Sequence, residues 1–220
     1  MDYKIAPSLL AADFARLSEE IARIEDGSDL LHLDLMDGHF VPNLTFGMPV
    51  VSSIRAVTDL PFDCHIMTTN PWAFLPELAE AGAGIVTMHV EAVPDPTDAM
   101  KVAAREGLGF GLVVSPPTPW AAIEPWAERC EMVVVMSVHP GFGGQSFMPE
   151  VLEKVESARA WVESHGLTTD IQIDGGITAE TVGRARDAGA NVFVAGSAVF
   201  GAPDPAAAVA ELRGIVEGGR

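Results

Sequence analysis

The 220-residue sequence has little positive charge. Lys plus Arg number 13 against 31 Asp plus Glu, which gives a formal net charge of −18. A surface this negative repels nucleic-acid phosphates and anionic lipid, so neither a nucleic-acid partner nor a membrane partner is expected. A small anionic ligand would need a local site that overcomes the overall field.

Cysteine is also scarce. Cys64 and Cys130 are too few for a disulfide framework and are typical of buried thiols in a reducing compartment. The sequence shows no signal-peptide pattern at its start and no apolar segment long enough to cross a membrane. We therefore expect a soluble, cytoplasmic protein.

Lysine occurs only as Lys4, Lys101 and Lys154. The first opens a predicted strand, and the other two lie in predicted helices. None stands at the carboxyl end of a strand, so Schiff-base chemistry of the aldolase type is not expected. No dinucleotide fingerprint follows a strand, so hydride transfer has no support either.

Short apolar, β-branched segments alternate with helical segments along the whole chain, and no linker divides it. We predict an α/β fold: a single (β/α)₈ TIM barrel that spans residues 1–220 as one domain. A doubly wound open sheet is the alternative. The eight predicted strands begin near Lys4, Leu30, Pro61, Ile85, Gly109, Met132, Asp170 and Asn191.

The predicted helix ends carry consistent signals. Glycines that suit a left-handed residue stand just past four helices, and polar side chains suited to capping precede five. The glycines are Gly82, Gly107, Gly166 and Gly189, and the predicted caps are Asp13, Asp95, Thr118, Thr178 and Asp204.

Polar side chains cluster at the strand ends where such barrels carry their active sites. Alternation along strand two puts His32 and Asp34 inside the barrel, opposite the leucines. His65 on strand three and Asp174 at the end of strand seven should join them. Buried charges need partners, and imidazoles with carboxylates can share a cation. We predict that these four residues bind one divalent metal ion, with Zn, Fe(II), Mn or Co favoured.

Glycine-rich turns follow strands six, seven and eight, and the segment after strand six is about ten residues longer than the others. Backbone N–H groups in such turns bind phosphate without a basic side chain, and none of these turns contains Lys or Arg. Tight turns of purely structural origin are the alternative. The residues are Gly141, Phe142, Gly143, Gly144, Gly175, Gly176, Gly196 and Ser197.

Three methionines are predicted to line the same pocket. Met36 and Met67 each lie two residues beyond a proposed metal ligand and share its face, and Met136 lies on strand six. An apolar wall of this kind would exclude water from a charged intermediate. Ordinary core packing explains the methionines equally well.

Several motifs together resemble the ribulose-phosphate 3-epimerase family, and the similarity runs from the first strand to the last helix. The longest is HLDLMDGHFVPN at residues 32–43. The others are APSLLAAD at 6–13, CHIM at 64–67, PGFGGQ at 140–145, DGGI at 174–177 and AGS at 195–197.

The resemblance implies a barrel of the ribulose-phosphate-binding type that interconverts ribulose 5-phosphate and xylulose 5-phosphate in the pentose phosphate pathway. It implies the same four metal ligands, a small-molecule ketose phosphate substrate and a homo-oligomer. It also assigns substrate contacts to Ser8, His65 and Asp174, in addition to the glycine-rich turns. The sequence departs from the family at His139, commonly Asn, and at Gln172, where an acidic residue is frequent.

Epimerisation beside a ketone requires one acid/base group on each side of a flat enediolate. Asp34 and Asp174 come from well-separated strands and are the predicted pair. A 3-epimerase of a six-carbon ketose phosphate, such as allulose 6-phosphate, is the nearest alternative. A non-catalytic sugar-phosphate-binding barrel and a decarboxylase of the orotidine-phosphate type are more distant ones, and the latter would need lysine at the strand ends.

Overall fold

Eight parallel strands form the centre of the molecule in the computed structural model, which describes residues 2–218. The sheet order is β1-β8-β7-β6-β5-β4-β3-β2, and an isolated parallel bridge between Ser8 and His32 joins β1 to β2. The (β/α)₈ barrel predicted from the sequence is therefore confirmed. The strands are β1 Lys4–Pro7, β2 Leu31–Met36, β3 Phe62–Met67, β4 Ala83–His89, β5 Gly109–Val114, β6 Met132–Met136, β7 Asp170–Asp174 and β8 Val192–Ala195.

Nine α-helices occur within residues 2–218, at least one after each strand. None of the helices in that range is both long enough and apolar enough to cross a bilayer. They are α1 Leu17–Ala22, α2 Met48–Arg55, α3 Leu75–Glu80, α4 Thr97–Glu106, α5 Glu124–Ala127, α6 Leu152–Ser164, α7 Val182–Asp187, α8 Ser197–Phe200 and α9 Pro205–Gly218.

The strands separate two apolar layers. Their outward side chains, such as Leu33, Cys64 and Ile173, pack against the helices in the larger core. A smaller core fills the inside of the barrel with residues such as Val134 and Val192. Truncating a fully buried leucine to alanine in such a core costs about 2–5 kcal/mol. This double burial fixes the register of β2, so that its polar side chains face inward.

The helix-capping predictions are confirmed in part. The carboxylates of Asp13 and Asp204 accept N–H hydrogen bonds from the first turns that follow them, and all four predicted glycines have positive φ. The prediction for Thr118 is wrong, because its hydroxyl donates to Glu91 and no side chain caps the short 3₁₀ turn that follows. Helix α4 begins at Thr97, one residue later than expected, with Pro96 in the capping position.

Candidate active site

Four side chains from three strands meet at the carboxyl end of the barrel. His32 and Asp34 lie on β2, His65 lies on β3, and Asp174 ends β7. One ligand atom from each lies within 4.8 Å of the others. His65 Nδ1 is 3.4 Å from Asp34 Oδ1 and 3.2 Å from Asp174 Oδ2. His32 Nε2 is 3.5 Å from the same Asp34 oxygen and 3.7 Å from Asp174 Oδ2.

The two histidine nitrogens that face this cluster fit a metal ion. Within the described part of the chain, His32 Nε2 and His65 Nδ1 are buried without a hydrogen-bond partner. The other nitrogen of each ring is occupied, by Asp63 for His32 and by His89 for His65. Buried polar atoms without partners are costly, and a cation shared with the two carboxylates would satisfy both. The cluster can therefore hold a divalent ion through two nitrogen and two oxygen atoms.

The charges of the cluster stabilise one another. Burial lowers the pKa of His32, but the negative charges of Asp63 and Asp34 outweigh it and raise that pKa well above its usual value. Burial likewise lowers the pKa of His65, and its contacts with Asp174 and Asp34 raise it overall. Burial raises the pKa of Asp34, but the two histidines lower it far below its usual range. The carboxylate of Asp34 thus stays ionised beside positive charge.

Each histidine is held from behind by a further polar group. Asp63 Oδ2 lies 2.7 Å from His32 Nδ1 and accepts a 2.5 Å hydrogen bond from the amide of Gln172. The Nε2 atoms of His65 and His89 are 2.9 Å apart. Burial lowers the pKa of His89 to about 4 despite its contact with Glu91. The sequence singled out Gln172 only as a departure from the family, and it gave no indication of Glu91, which lies beyond the end of β4.

Above the cluster lies a cavity of about 460 Å³. Asp34 and Asp174 reach its floor, with 4% and 9% of their surfaces exposed, whereas His32 and His65 are fully buried beneath it. The Ser8 hydroxyl lines the cavity and donates a 2.5 Å hydrogen bond to Asp34 Oδ2. That bond leaves the other Asp34 oxygen, Oδ1, for the histidine cluster.

The predicted apolar and glycine-rich segments line the same cavity. Met36, Met67 and Met136 are nearly fully buried and form part of its wall. All the predicted loop residues line the cavity: Gly141, Phe142, Gly143, Gly144, Gly175, Gly176, Gly196 and Ser197. None of the described residues around the cavity is Lys or Arg. An anion held there would therefore interact with backbone N–H groups rather than with basic side chains.

Two of these glycines are required by the backbone. Gly175 has φ of 120°, and a Cβ there would lie 2.4 Å from Val138 Cγ2. Gly176 has φ of 63°, and a Cβ there would lie 2.6 Å from the backbone nitrogen of Phe147. The turn after β7 can thus pack against the loop after β6 only because both residues lack side chains.

The structure adds residues that the sequence did not assign to the site. Thr178, Glu180 and Thr181 follow the turn after β7 and line the cavity rim. Asn43 donates a 2.8 Å hydrogen bond to the carbonyl of Gly141 and so connects the loop after β2 to the loop after β6. The only available signal was their place in loops at the carboxyl ends of strands.

The fold and the site together define an enzyme built on a (β/α)₈ barrel. Two carboxylates lie on the floor of a pocket lined by glycine-rich turns, and a candidate metal site lies beneath it. Residues 4–200 match the family model described as "Ribulose-phosphate 3 epimerase family". The chain belongs to this family and is an isomerase that acts on a small sugar phosphate.

The curated relatives agree over almost their whole length. The chain is 53% identical over 212 residues to "Ribulose-phosphate 3-epimerase" of Mycobacterium tuberculosis (strain ATCC 25618 / H37Rv), covering 95% of this chain and 91% of the relative. It is 43% identical to the Bacillus subtilis (strain 168) protein of the same name, covering 96% and 98%. These names support the predicted ribulose-phosphate 3-epimerase activity and none of its alternatives.

Solved structures with little sequence similarity share the fold. The structure of 3-hexulose-6-phosphate synthase from Salmonella typhimurium matches with a TM-score of 0.73 at 17% identity, covering 99% of this chain and all of that one. A mutant tryptophan synthase alpha-subunit from Pyrococcus furiosus matches with the same TM-score at 14% identity and the same coverage. Likeness at this level of identity extends to the barrel alone.

Proposed function

We propose that the chain interconverts D-ribulose 5-phosphate and D-xylulose 5-phosphate, with Asp34 and Asp174 as the two acid/base groups. The observation that carries this assignment is their placement: both carboxylates reach the floor of one cavity from β2 and β7, with β1 and β8 between them. Removal of the proton from carbon 3 on one side and its return on the other needs such a pair.

The residues around Asp34 favour its role as a base. The Ser8 hydroxyl and the two histidines hold this carboxylate in its ionised form, with one oxygen bound to Ser8. When one Asp removes the proton from carbon 3, the other must hold a proton to return it on the opposite side. Reversal of the reaction exchanges the two roles.

We propose that His32, Asp34, His65 and Asp174 hold one divalent ion, with Zn, Fe(II), Mn or Co suited to this set of nitrogen and oxygen ligands. When bound, the ion supplies Lewis-acid stabilisation of the negative charge that develops on the substrate oxygens. The methionines form an apolar wall beside that charge and exclude water. Metal analysis of the purified protein identifies the native ion.

The glycine-rich turns are the proposed phosphate site. Gly141, Gly144, Gly175 and Gly176 all have positive φ and line the cavity, together with Gly196 and Ser197. Backbone N–H groups in such turns bind an anion through their dipoles. The strong negative charge of the whole protein makes this local site necessary.

Epimerase kinetics test this assignment. We expect kcat/KM for ribulose 5-phosphate to exceed that for allulose 6-phosphate by at least about tenfold, which corresponds to about 1.4 kcal/mol of transition-state discrimination. A higher value for allulose 6-phosphate would favour the six-carbon epimerase instead. Absence of turnover with both substrates, in protein loaded with metal, would favour a binding role.

We also propose that the chain forms a homo-oligomer in the cytoplasm and that residues 1–220 form one domain. The side chain of Leu44 is 74% exposed. Phe46 lies two residues further along the chain, and its ring contacts the ring of Phe14, which is 44% exposed. A second copy of the chain would remove this apolar surface from water. Light scattering measures the oligomeric state.

The proposed cytoplasmic location is supported by one relative. It is 46% identical to the chain over 220 residues, and the match covers 98% of this chain and 95% of the relative. That protein is named a cytoplasmic isoform in Oryza sativa subsp. japonica.

A further inference from the structure

A row of hydrogen-bonded side chains leads away from the candidate metal site behind His65. The rings of His65 and His89 stack with centroids 5.0 Å apart, and their Nε2 atoms are separated by 2.9 Å. His89 Nδ1 in turn lies 3.2 Å from Glu91 Oε2. Both imidazoles are fully buried, so the hydrogen bonds of these ring nitrogens are made to neighbouring side chains rather than to bulk water.

The contact between the two imidazoles has a direction. Two ring nitrogens can share a hydrogen bond only when one donates and the other accepts. If His65 Nδ1 is a metal ligand, its ring carries the proton on Nε2 and donates it to His89 Nε2. The proton of a neutral His89 must then be on Nδ1, which faces Glu91. A carboxylate can only accept, so every bond in the row agrees with metal at His65 Nδ1.

Glu91 is fixed in place from its other side. Its Oε1 atom accepts a 2.9 Å hydrogen bond from the backbone N–H of Ser115 and another from the hydroxyl of Thr118. The hydroxyl of Ser115 lies 3.3 Å from His89 Nδ1, but a hydroxyl can donate or accept and therefore does not set the direction. The N–H of His65 and the carboxylate of Glu91 therefore both place the proton of His89 on Nδ1.

We propose that His89 and Glu91 are positioning residues for the metal ligand His65. They hold the proton on Nε2 of His65 and leave its Nδ1 lone pair aimed at the cluster. Partners of this kind typically contribute a factor of about 10–100 to metal affinity. The inference rests on the metal site proposed above and adds two residues that touch neither the cavity nor the metal ligands' coordinating atoms.

Glu91→Gln tests the direction of the row with almost no change in shape. The N–H of Ser115 requires an acceptor, so the amide oxygen should remain there and the amide nitrogen should face His89. That nitrogen donates, which moves the proton of His89 to Nε2 and then that of His65 to Nδ1. The metal must now displace a proton from the very atom it needs.

The experiment measures Zn²⁺ affinity of the metal-free protein by competition with a chelator, together with its melting temperature. We expect Glu91→Gln to weaken Zn²⁺ binding at least about tenfold and His89→Phe about 10–100-fold. The matched control is Glu20→Gln, the same change at another buried carboxylate, which lies in α1 and bonds to Arg23 rather than to the histidines. Its Zn²⁺ affinity should equal that of the wild type. A purely structural role would lower the melting temperature and leave the affinity unchanged.

Long-range ¹H–¹⁵N spectra of the Zn²⁺-loaded wild type report the tautomers directly. The expected result is a proton on Nε2 of His65 and on Nδ1 of His89. A proton on Nε2 of His89, or full Zn²⁺ affinity in both Glu91→Gln and His89→Phe, would overturn the positioning role alone. A wild-type protein that binds no Zn²⁺ would overturn the metal site and the positioning role together.

Discussion

Gln172 and Asp63 meet inside the barrel, where the amide of the first donates a 2.5 Å hydrogen bond to the carboxylate of the second. The same Asp63 oxygen contacts His32 Nδ1, and all three side chains are fully buried. The contact therefore links β7, β3 and β2 and aims His32 Nε2 at the candidate metal site.

Gln172→Leu should destabilise the protein, because the buried charge of Asp63 loses a donor. Loss of a hydrogen bond to a buried charged group costs about 1–3 kcal/mol. Urea unfolding of the metal-free protein measures the free energy of unfolding. In the double variant Gln172→Leu, Asp63→Asn, the loss should be smaller than the sum of the two single losses. A Gln172→Leu protein as stable as the wild type would contradict this account of Asp63.

Asp34→Asn and Asp174→Asn should each lower kcat about 10²–10⁴-fold, since each removes one of the two acid/base groups. Steady-state kinetics in both directions, on protein with measured metal content, test this. Glu180→Gln is the control, because Glu180 lines the rim of the same cavity without reaching the four-residue cluster. Full activity in both Asp variants with metal bound would show that other groups move the proton.

The sequence predicted much of this architecture, because periodicity and burial act on neighbouring residues. The start of every strand lay within two residues of its predicted position, and alternation correctly placed His32 and Asp34 inside. Contacts between distant loops carry no such local signal. Thr118 resembled a helix cap, yet its hydroxyl bonds to Glu91 from the loop after another strand. The assignment of site roles and of one domain stays a prediction.

Gly175→Ala should destabilise the protein and weaken substrate binding. Alanine at this position would have to adopt a positive φ, and its Cβ would lie 2.4 Å from Val138 Cγ2. The turn after β7 must therefore move. A cost of about 1–3 kcal/mol is expected for such strain. Gly214→Ala is the control: Gly214 is exposed in α9, and a Cβ there meets nothing within 4 Å. The free energy of unfolding of Gly214→Ala should exceed that of the wild type by about 0.5–1 kcal/mol. Equal stability of the two variants would contradict the steric argument.

Asp37 should stabilise the protein in a pH-dependent way. Burial raises its pKa, but hydrogen bonds from the backbone N–H groups of Thr69, Phe40 and His39 outweigh it and lower that pKa from 3.8 to about 2. The ionised form therefore stabilises the folded state above about pH 4, and this contribution is lost as the pH falls towards 2.

Asp37→Ala should accordingly lower the free energy of unfolding by about 1–2 kcal/mol at pH 7, and the difference from the wild type should shrink below pH 4. Urea unfolding at pH 7, 4 and 3 measures it, with the exposed Asp59→Ala as control. A difference that stays constant over this range would rule out the ionised form of Asp37 as its source.

Proton exchange at carbon 3 tests the two-carboxylate account most directly. The metal-loaded protein is incubated with ribulose 5-phosphate in D₂O and followed by proton NMR, with and without a chelator. The account predicts xylulose 5-phosphate that carries deuterium at carbon 3, loss of this exchange on chelation, and its return when metal is restored. Xylulose 5-phosphate without deuterium, or no exchange in the metal-loaded protein, would contradict it.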